Sequence, residues 1–176
     1  MITLVIGGAA SGKSEFAESL VLNAGELPRY YIATMQPFDG ECKTRIQRHR
    51  AMRKEKKFTT IECFVDLKRV LLPLKGVVLL ECMSNLVANE LYSPQGAGTD
   101  AADAIKEGIE QLHRQCEHLI VVSNEVFTGG CSYEGDTLHY LKVLAQVNRM
   151  VAQQANNVYE VVYGMPICHK GEENTL

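Results

Sequence analysis

The chain has 176 residues, 46% of them apolar and 22% charged, with a formal net charge of −3. That size and balance suit one globular domain, residues 1–176, long enough to cover a sheet with helices. No window holds the roughly 18 consecutive apolar residues of a membrane span, and the net negative charge argues against general nucleic-acid binding.

ITLVIG (Ile2–Gly7) is a short apolar run and reads as a buried first strand. No basic stretch precedes it, so it does not read as a secretory leader. GGAASGKS follows, spanning Gly7, Gly8, Ala9, Ala10, Ser11, Gly12, Lys13 and Ser14. It fits G-x4-G-K-[ST], with a strand before it and a helical pattern after it. Glycines let the backbone turn its N–H groups toward phosphate oxygens, and the next helix adds the partial positive charge of its N-terminus. In such a loop Lys13 pairs with the β- and γ-phosphates as a catalytic residue, and Ser14 ligates Mg²⁺. Pattern and context together make nucleotide binding specific and leave the reaction open.

A helix is predicted over Ser11–Gly25, with Gly25 near its end, then a strand over Arg29–Thr34 and a helix over Asp39–Arg53 with Asp39 as N-cap. Strands are predicted over Phe58–Cys63, Gly76–Met83 and His118–Asn124. Helices are predicted over Asp100–Cys116 and Thr137–Ala155, and a last strand over Asn157–Gly164. Strand alternating with helix implies an α/β fold with a mostly parallel sheet wrapped by helices. Tyr92–Asp100 and Glu125–Asp136 read as mobile loops. The six cysteines contain no CxxC pair, which argues against a zinc site. Reduced cysteines in apolar runs point to the cytoplasm.

Two strand ends carry acids. Glu81 closes the apolar run in LLECMSN, and Glu125 follows VVSN. In a phosphate-loop protein a carboxylate at the end of a buried strand serves metal or nucleotide; the alternative is a surface acid. The DxxG and NKxD motifs of a regulatory GTPase are absent from the sequence.

Arg45–Lys57 reads RIQRHRAMRKEKK, with seven Arg or Lys among thirteen residues and one histidine, His49. On a helix Arg45, His49 and Arg53 line one face. Cationic neighbours disfavour imidazolium, which keeps the ring neutral and nucleophilic. The same guanidinium groups can clamp a triphosphate. The alternative is a solvated basic helix face with an incidental histidine.

From GGAASGKSEFAE through YIAT, RIQRHRAMR, TIE, LLECMSNLVANEL and VVSNEV to VNRMVAQQANNVYEVVYGMP, the whole chain resembles one family. It is the bifunctional adenosylcobinamide kinase / adenosylcobinamide-phosphate guanylyltransferase family of cobalamin biosynthesis. The resemblance implies a RecA-like phosphate-loop NTPase fold and a homotrimer. It implies phosphorylation of adenosylcobinamide, a corrinoid, by ATP or GTP. It then implies transfer of GMP from GTP through a guanylylated histidine, which corresponds to His49. Family nucleotide contacts fall on Gly7–Ser14, on Ala33, Thr34 and Met35, on Arg50, Ala51, Met52 and Arg53, and on Glu62 and Glu81. Glu81, with Ser14, is the implied Mg²⁺ site. The chain departs from the family pattern at Ala10, Phe127, Leu141, Lys142 and Ala145, and retains its asparagine at Asn148. Two other functions fit the residues: a small-molecule kinase that keeps one of the two activities, and a nucleotide-binding module that works on nucleic acid or a protein partner.

Overall fold

Residue parity within the apolar runs decides the architecture. In β1 (Ile2–Gly7), Ile2 and Leu4 pack with one apolar cluster and Val5 with another. β4 (Val77–Glu81) divides the same way, Val78 and Leu80 against Val77 and Leu79. Such strands carry apolar side chains on both faces because both faces are covered, the signature of a buried parallel sheet. The computed structural model describes residues 1–37, 47, 56–127 and 133–171. Apart from Gln47, the expected Asp39–Arg53 helix, with His49 and Arg50–Arg53, lies outside the described residues.

The remaining strands are β2 (Arg29–Ala33), β3 (Phe58–Glu62), β5 (His118–Asn124), β6 (Asn157–Val162) and β7 (Met165–Lys170). They form a seven-stranded sheet in the order β3-β2-β4-β5-β1-β6-β7. Every pairing is parallel except β6 with β7. Helix α1 (Lys13–Asn23) covers one face through Phe16, Ala17, Leu20 and Val21. Three helices cover the other, α2 (Met83–Tyr92), α3 (Ala101–Gln115) and α4 (Gly135–Gln154), through residues such as Leu86, Ile109 and Val147.

The predicted strands and helices are present to within two residues at each end among the described residues, with three differences. The last predicted strand, Asn157–Gly164, ends at Val162, and β7 turns back beside it. Tyr163 and Gly164, both with positive φ, make that two-residue turn, the conformation that matches strand twist in a tight hairpin. Met83–Tyr92, not assigned to an element above, is α2; its Met83, Leu86, Val87 and Glu90 are buried at helical spacing. The Tyr92–Asp100 segment is tied down: the Glu90 carboxylate, 2% exposed, accepts the N–H groups of Ala97 (2.9 Å) and Asp66 (2.6 Å). A buried carboxylate requires such partners.

Candidate active site

The phosphate loop opens where β1 meets α1, at the carboxyl edge of the sheet, the edge at which ligands of open α/β sheets sit. Ala10 (φ 55) and Gly12 (φ 91) hold left-handed conformations. Gly12 also approaches the hairpin turn: a Cβ there would meet Gly164 Cα at 3.0 Å. Gly7 is needed for space, since a Cβ would stand 2.6 Å from both Ser11 Oγ and Val161 O. The loop is closed by Ser11 N–H donating to Gly8 O (3.3 Å) and by Lys13 Nζ donating to the same carbonyl (2.9 Å). Gly164 N–H donates to Ser11 O (2.7 Å), so the β6–β7 hairpin supports the loop from outside.

Glu81 shares the sheet face of Val77 and Leu79, the face that α1 covers. Its carboxylate therefore comes up beneath the start of α1. Ser14 Oγ donates to Glu81 Oε1 at 2.5 Å, and Tyr31 OH donates to Glu81 Oε2 at 3.2 Å. The strand-end acid is thus an inward group of the phosphate-loop pocket. Glu62 ends β3 in register with Ala33, which is in register with Glu81. Two strand spacings separate the two acids, about 10 Å, and Glu62 is exposed. Glu125 is engaged locally: its Oε1 accepts the Phe127 N–H two residues on (2.8 Å).

The chain after β2 is joined to the chain after β4. Thr34 is fully buried, and its Oγ1 accepts the Cys82 N–H and donates to the Cys82 carbonyl, both at 2.8 Å. Its own N–H donates to Glu81 O (3.2 Å), and its carbonyl accepts Asn89 Nδ2 (2.8 Å). Thr34 therefore splices two strand ends, and Ala33 and Met35 flank the splice. The Glu81–Cys82 peptide bond is cis.

Several polar residues at this edge were not singled out from the sequence. Asn124, the last residue of β5, pairs in register with Gly7 and donates from Nδ2 to Ser84 Oγ (2.6 Å). Ser84 Oγ lies 3.1 Å from Cys82 Sγ, and the Ser84 carbonyl accepts Tyr140 OH (3.3 Å). Beneath them Ser123 Oγ donates to Asn148 Oδ1 (2.6 Å) inside the protein. Burial raises the Cys82 pKa and pushes Tyr140 to about 12, so both stay protonated near neutral pH. Asn124 had the signal that marked Glu81, a polar residue closing an apolar run. Ser84 carried none, because its role depends on a strand distant in sequence.

The family profile described as cobinamide kinase / cobinamide phosphate guanyltransferase matches residues 3–168. The bifunctional adenosylcobalamin biosynthesis proteins CobU of Escherichia coli K12 and of Salmonella typhimurium LT2 are each 34% identical to the chain, over 95% of it and 98% of their own length. CobP of Pseudomonas aeruginosa, with the same description, is 31% identical over 98% of the chain and 99% of its own. Among solved structures, the PH0250 protein of Pyrococcus horikoshii OT3 matches with a TM-score of 0.54 and 11% identity, over 98% of this chain and 87% of that one. The KaiC-like protein PH0186 of the same organism matches at 0.51 and 11%, over 99% and 81%. These structures share the fold: a mostly parallel sheet with a phosphate loop, of RecA-like type.

Proposed function

The chain belongs to the cobinamide kinase / cobinamide phosphate guanyltransferase family, and on that premise we propose that it performs both reactions in that name. In the first, the aminopropanol hydroxyl of adenosylcobinamide attacks the γ-phosphorus of ATP or GTP. The new O–P bond forms as the bond to the β,γ-bridging oxygen breaks. The nucleoside diphosphate leaves with the electron pair, and the hydroxyl proton is lost to solvent. In the second, a neutral ring nitrogen of His49 attacks the α-phosphorus of GTP and pyrophosphate leaves. A phosphate oxygen of the cobinamide phosphate then displaces the histidine from phosphorus, giving adenosylcobinamide-GDP.

The observation that carries the nucleotide half is the Ser14–Glu81 contact across the phosphate loop. A hydroxyl and a carboxylate are the hard oxygen donors that Mg²⁺ takes, and they meet at the loop that would hold the β- and γ-phosphates. Ser14 and Glu81 are the residues that would hold the ion, one from each side of the pocket. Among the described residues no group of three or more His, Cys, Asp or Glu converges, so most ligands would come from phosphate and water, as is usual for this ion. When bound, Mg²⁺ would neutralise charge on the β- and γ-oxygens. Lys13, at the start of α1, supplies a fixed cation to the same oxygens, and the N–H groups of the loop orient them.

The guanylyl half rests on the RIQRHRAMR run and its family match, since His49, Arg50, Ala51, Met52 and Arg53 lie outside the described residues. Family resemblance supports a homotrimer. A cytoplasmic location is supported by the free thiols of Cys63, Cys82 and Cys116. Among the described residues no helix is long and apolar enough to cross a membrane. The test is incubation with GTP labelled at the α-phosphate. Acid-labile, base-stable label on the protein, discharged by adenosylcobinamide phosphate, is the expected result. No covalent label in the presence of Mg²⁺ would overturn the guanylyl-histidine step.

A further inference from the structure

We propose that Asn124 and Ser84 form a mount for Glu81, which makes both of them positioning residues for phosphoryl transfer. The proposal rests on Glu81 being the carboxylate that serves the nucleotide-bound cation.

The mount follows from the strand order. β5 lies between β4 and β1, so its last residue stands between the strand that ends in Glu81 and the strand that opens the phosphate loop. Asn124 is in register with Gly7, while Val122, two residues earlier, is in register with Glu81. The Asn124 amide crosses from the loop side to the Glu81 side and donates to Ser84 Oγ at 2.6 Å. Ser84 is in the first turn of α2, three residues beyond Glu81, and its Oγ lies 3.1 Å from Cys82 Sγ. With the Ser14–Glu81 bond, these contacts close a ring around the pocket: Gly7, Asn124, Ser84, Cys82, Glu81, Ser14 and back through the loop.

The other bonds on this turn come from different directions. Thr34 holds both polar groups of the Cys82 peptide from the β2 side, and Tyr140 holds the Ser84 carbonyl from α4. Glu81 thus leads into a turn gripped by β2, β5 and α4. Each neutral hydrogen bond contributes only about 1 kcal/mol to stability, which does not account for such a concentration at one strand end. Position accounts for it, because a displacement of about 1 Å at a reacting centre can cost roughly 100-fold in rate. Asn124 is the member of the grip that also pairs with the phosphate loop.

Asn124→Ala and Ser84→Ala, measured singly and together beside Glu81→Gln, test the mount. Each single Ala variant should lower kcat for phosphoryl transfer by roughly 10- to 100-fold, with KM for nucleotide within about 3-fold. The double variant should fall no more than about 2-fold below the worse single, since both changes break one path. Binding of N-methylanthraniloyl-GTP, followed by fluorescence as Mg²⁺ is titrated, gives a readout independent of turnover. Half-saturation should move several-fold upward in Mg²⁺ for both single Ala variants, as it should for Glu81→Gln. Melting temperatures separate this from loss of fold, and Ser84→Ala stands in if Asn124→Ala does not fold. A shift in Glu81→Gln with none in a folded Ala variant overturns the mount alone, as do multiplicative losses in the double variant. Wild-type Mg²⁺ dependence in Glu81→Gln overturns the reading of Glu81, and the mount with it.

Discussion

Ser14 and Glu81 are 67 positions apart in the chain, yet the Ser14 hydroxyl donates to Glu81 Oε1 at 2.5 Å. The contact joins the first turn of α1 to the end of β4. It exists because Glu81 has the same parity as Val77 and Leu79, so the strand that buries those two side chains beneath α1 also delivers the carboxylate to its N-terminus. A carboxylate at that place suits a cation held between it and phosphate oxygens, the role proposed above.

Glu81→Gln tests that reasoning directly. The amide preserves shape and can still accept a hydrogen bond, so the melting temperature should stay within about 3 °C of wild type. Phosphoryl transfer should fall by roughly 10- to 100-fold, with the loss partly recovered at high Mg²⁺. Steady-state rates across a Mg²⁺ series measure it. Wild-type kinetics would reduce Glu81 to a partner for Ser14 and Tyr31.

Lys13→Ala should weaken both nucleotide-dependent steps, because Lys13 is part of the phosphate loop at the start of α1. A loss of at least about 100-fold in phosphoryl transfer is expected. Covalent labelling by α-labelled GTP should decline with it. If labelling persisted at the wild-type rate, the guanylyl step would use a second triphosphate site.

Much of this was legible in the sequence, for reasons that particular residues make plain. The phosphate loop is local, so Gly7–Ser14 could be read from spacing alone. The strand ending at Glu81 was legible because four consecutive buried positions, Val77–Leu80, leave an apolar run with an acid at its end. β7 was missed because its turn is Tyr163–Gly164, whereas the usual hairpin signal is Asn-Gly or Asp-Gly, and because Pro166 lowers strand propensity. Pro166 is tolerated because β7 is an edge strand. The mount around Glu81 could not be read, since Thr34, Ser84, Asn124 and Tyr140 come together only through the strand order.

His49→Ala should abolish covalent guanylylation and leave phosphorylation of adenosylcobinamide within about 3-fold of wild type, because γ-phosphoryl transfer does not use that nucleophile. Parallel assays with α- and γ-labelled GTP on one preparation would measure both. Undiminished α-label on the variant would assign the intermediate to another residue.

Thr34→Val removes a hydroxyl that both accepts from and donates to the Cys82 peptide. The Cys82 N–H would lose its partner beside a fully buried side chain, while the Cys82 carbonyl keeps the Leu86 N–H (3.2 Å). A loss of roughly 1–3 kcal/mol is expected, or about 3–9 °C in melting temperature for a chain of this size. Thr34→Ser keeps the hydroxyl and should lose less than half as much. Equal losses in the two variants would mean that the methyl group, and not the hydrogen bonds, holds the splice.

His118 makes stability depend on pH at the opposite end of the sheet. It is the first residue of β5, only 9% exposed, and its Nε2 lies 2.8 Å from Thr3 Oγ1. Burial, followed by the positive N-terminus nearby, lowers its pKa to about 4. The unfolded chain takes up this proton near pH 6.5, whereas the native protein resists it until about pH 4. Between those values the unfolded state binds more protons, so stability falls as pH falls. The contribution is fully present above about pH 6.5 and is lost progressively toward about pH 4, by roughly 3 kcal/mol in all. His118→Gln removes the titrating group and one polar partner of Thr3. At pH 7.5 the variant should be less stable than wild type by about 1 kcal/mol. On acidification the wild type should lose stability faster, so that the two curves converge and then cross. Urea unfolding of both proteins from pH 7.5 to pH 4.5 would give the slopes. Parallel curves through that window would show that His118 protonates equally easily in the folded and unfolded chain.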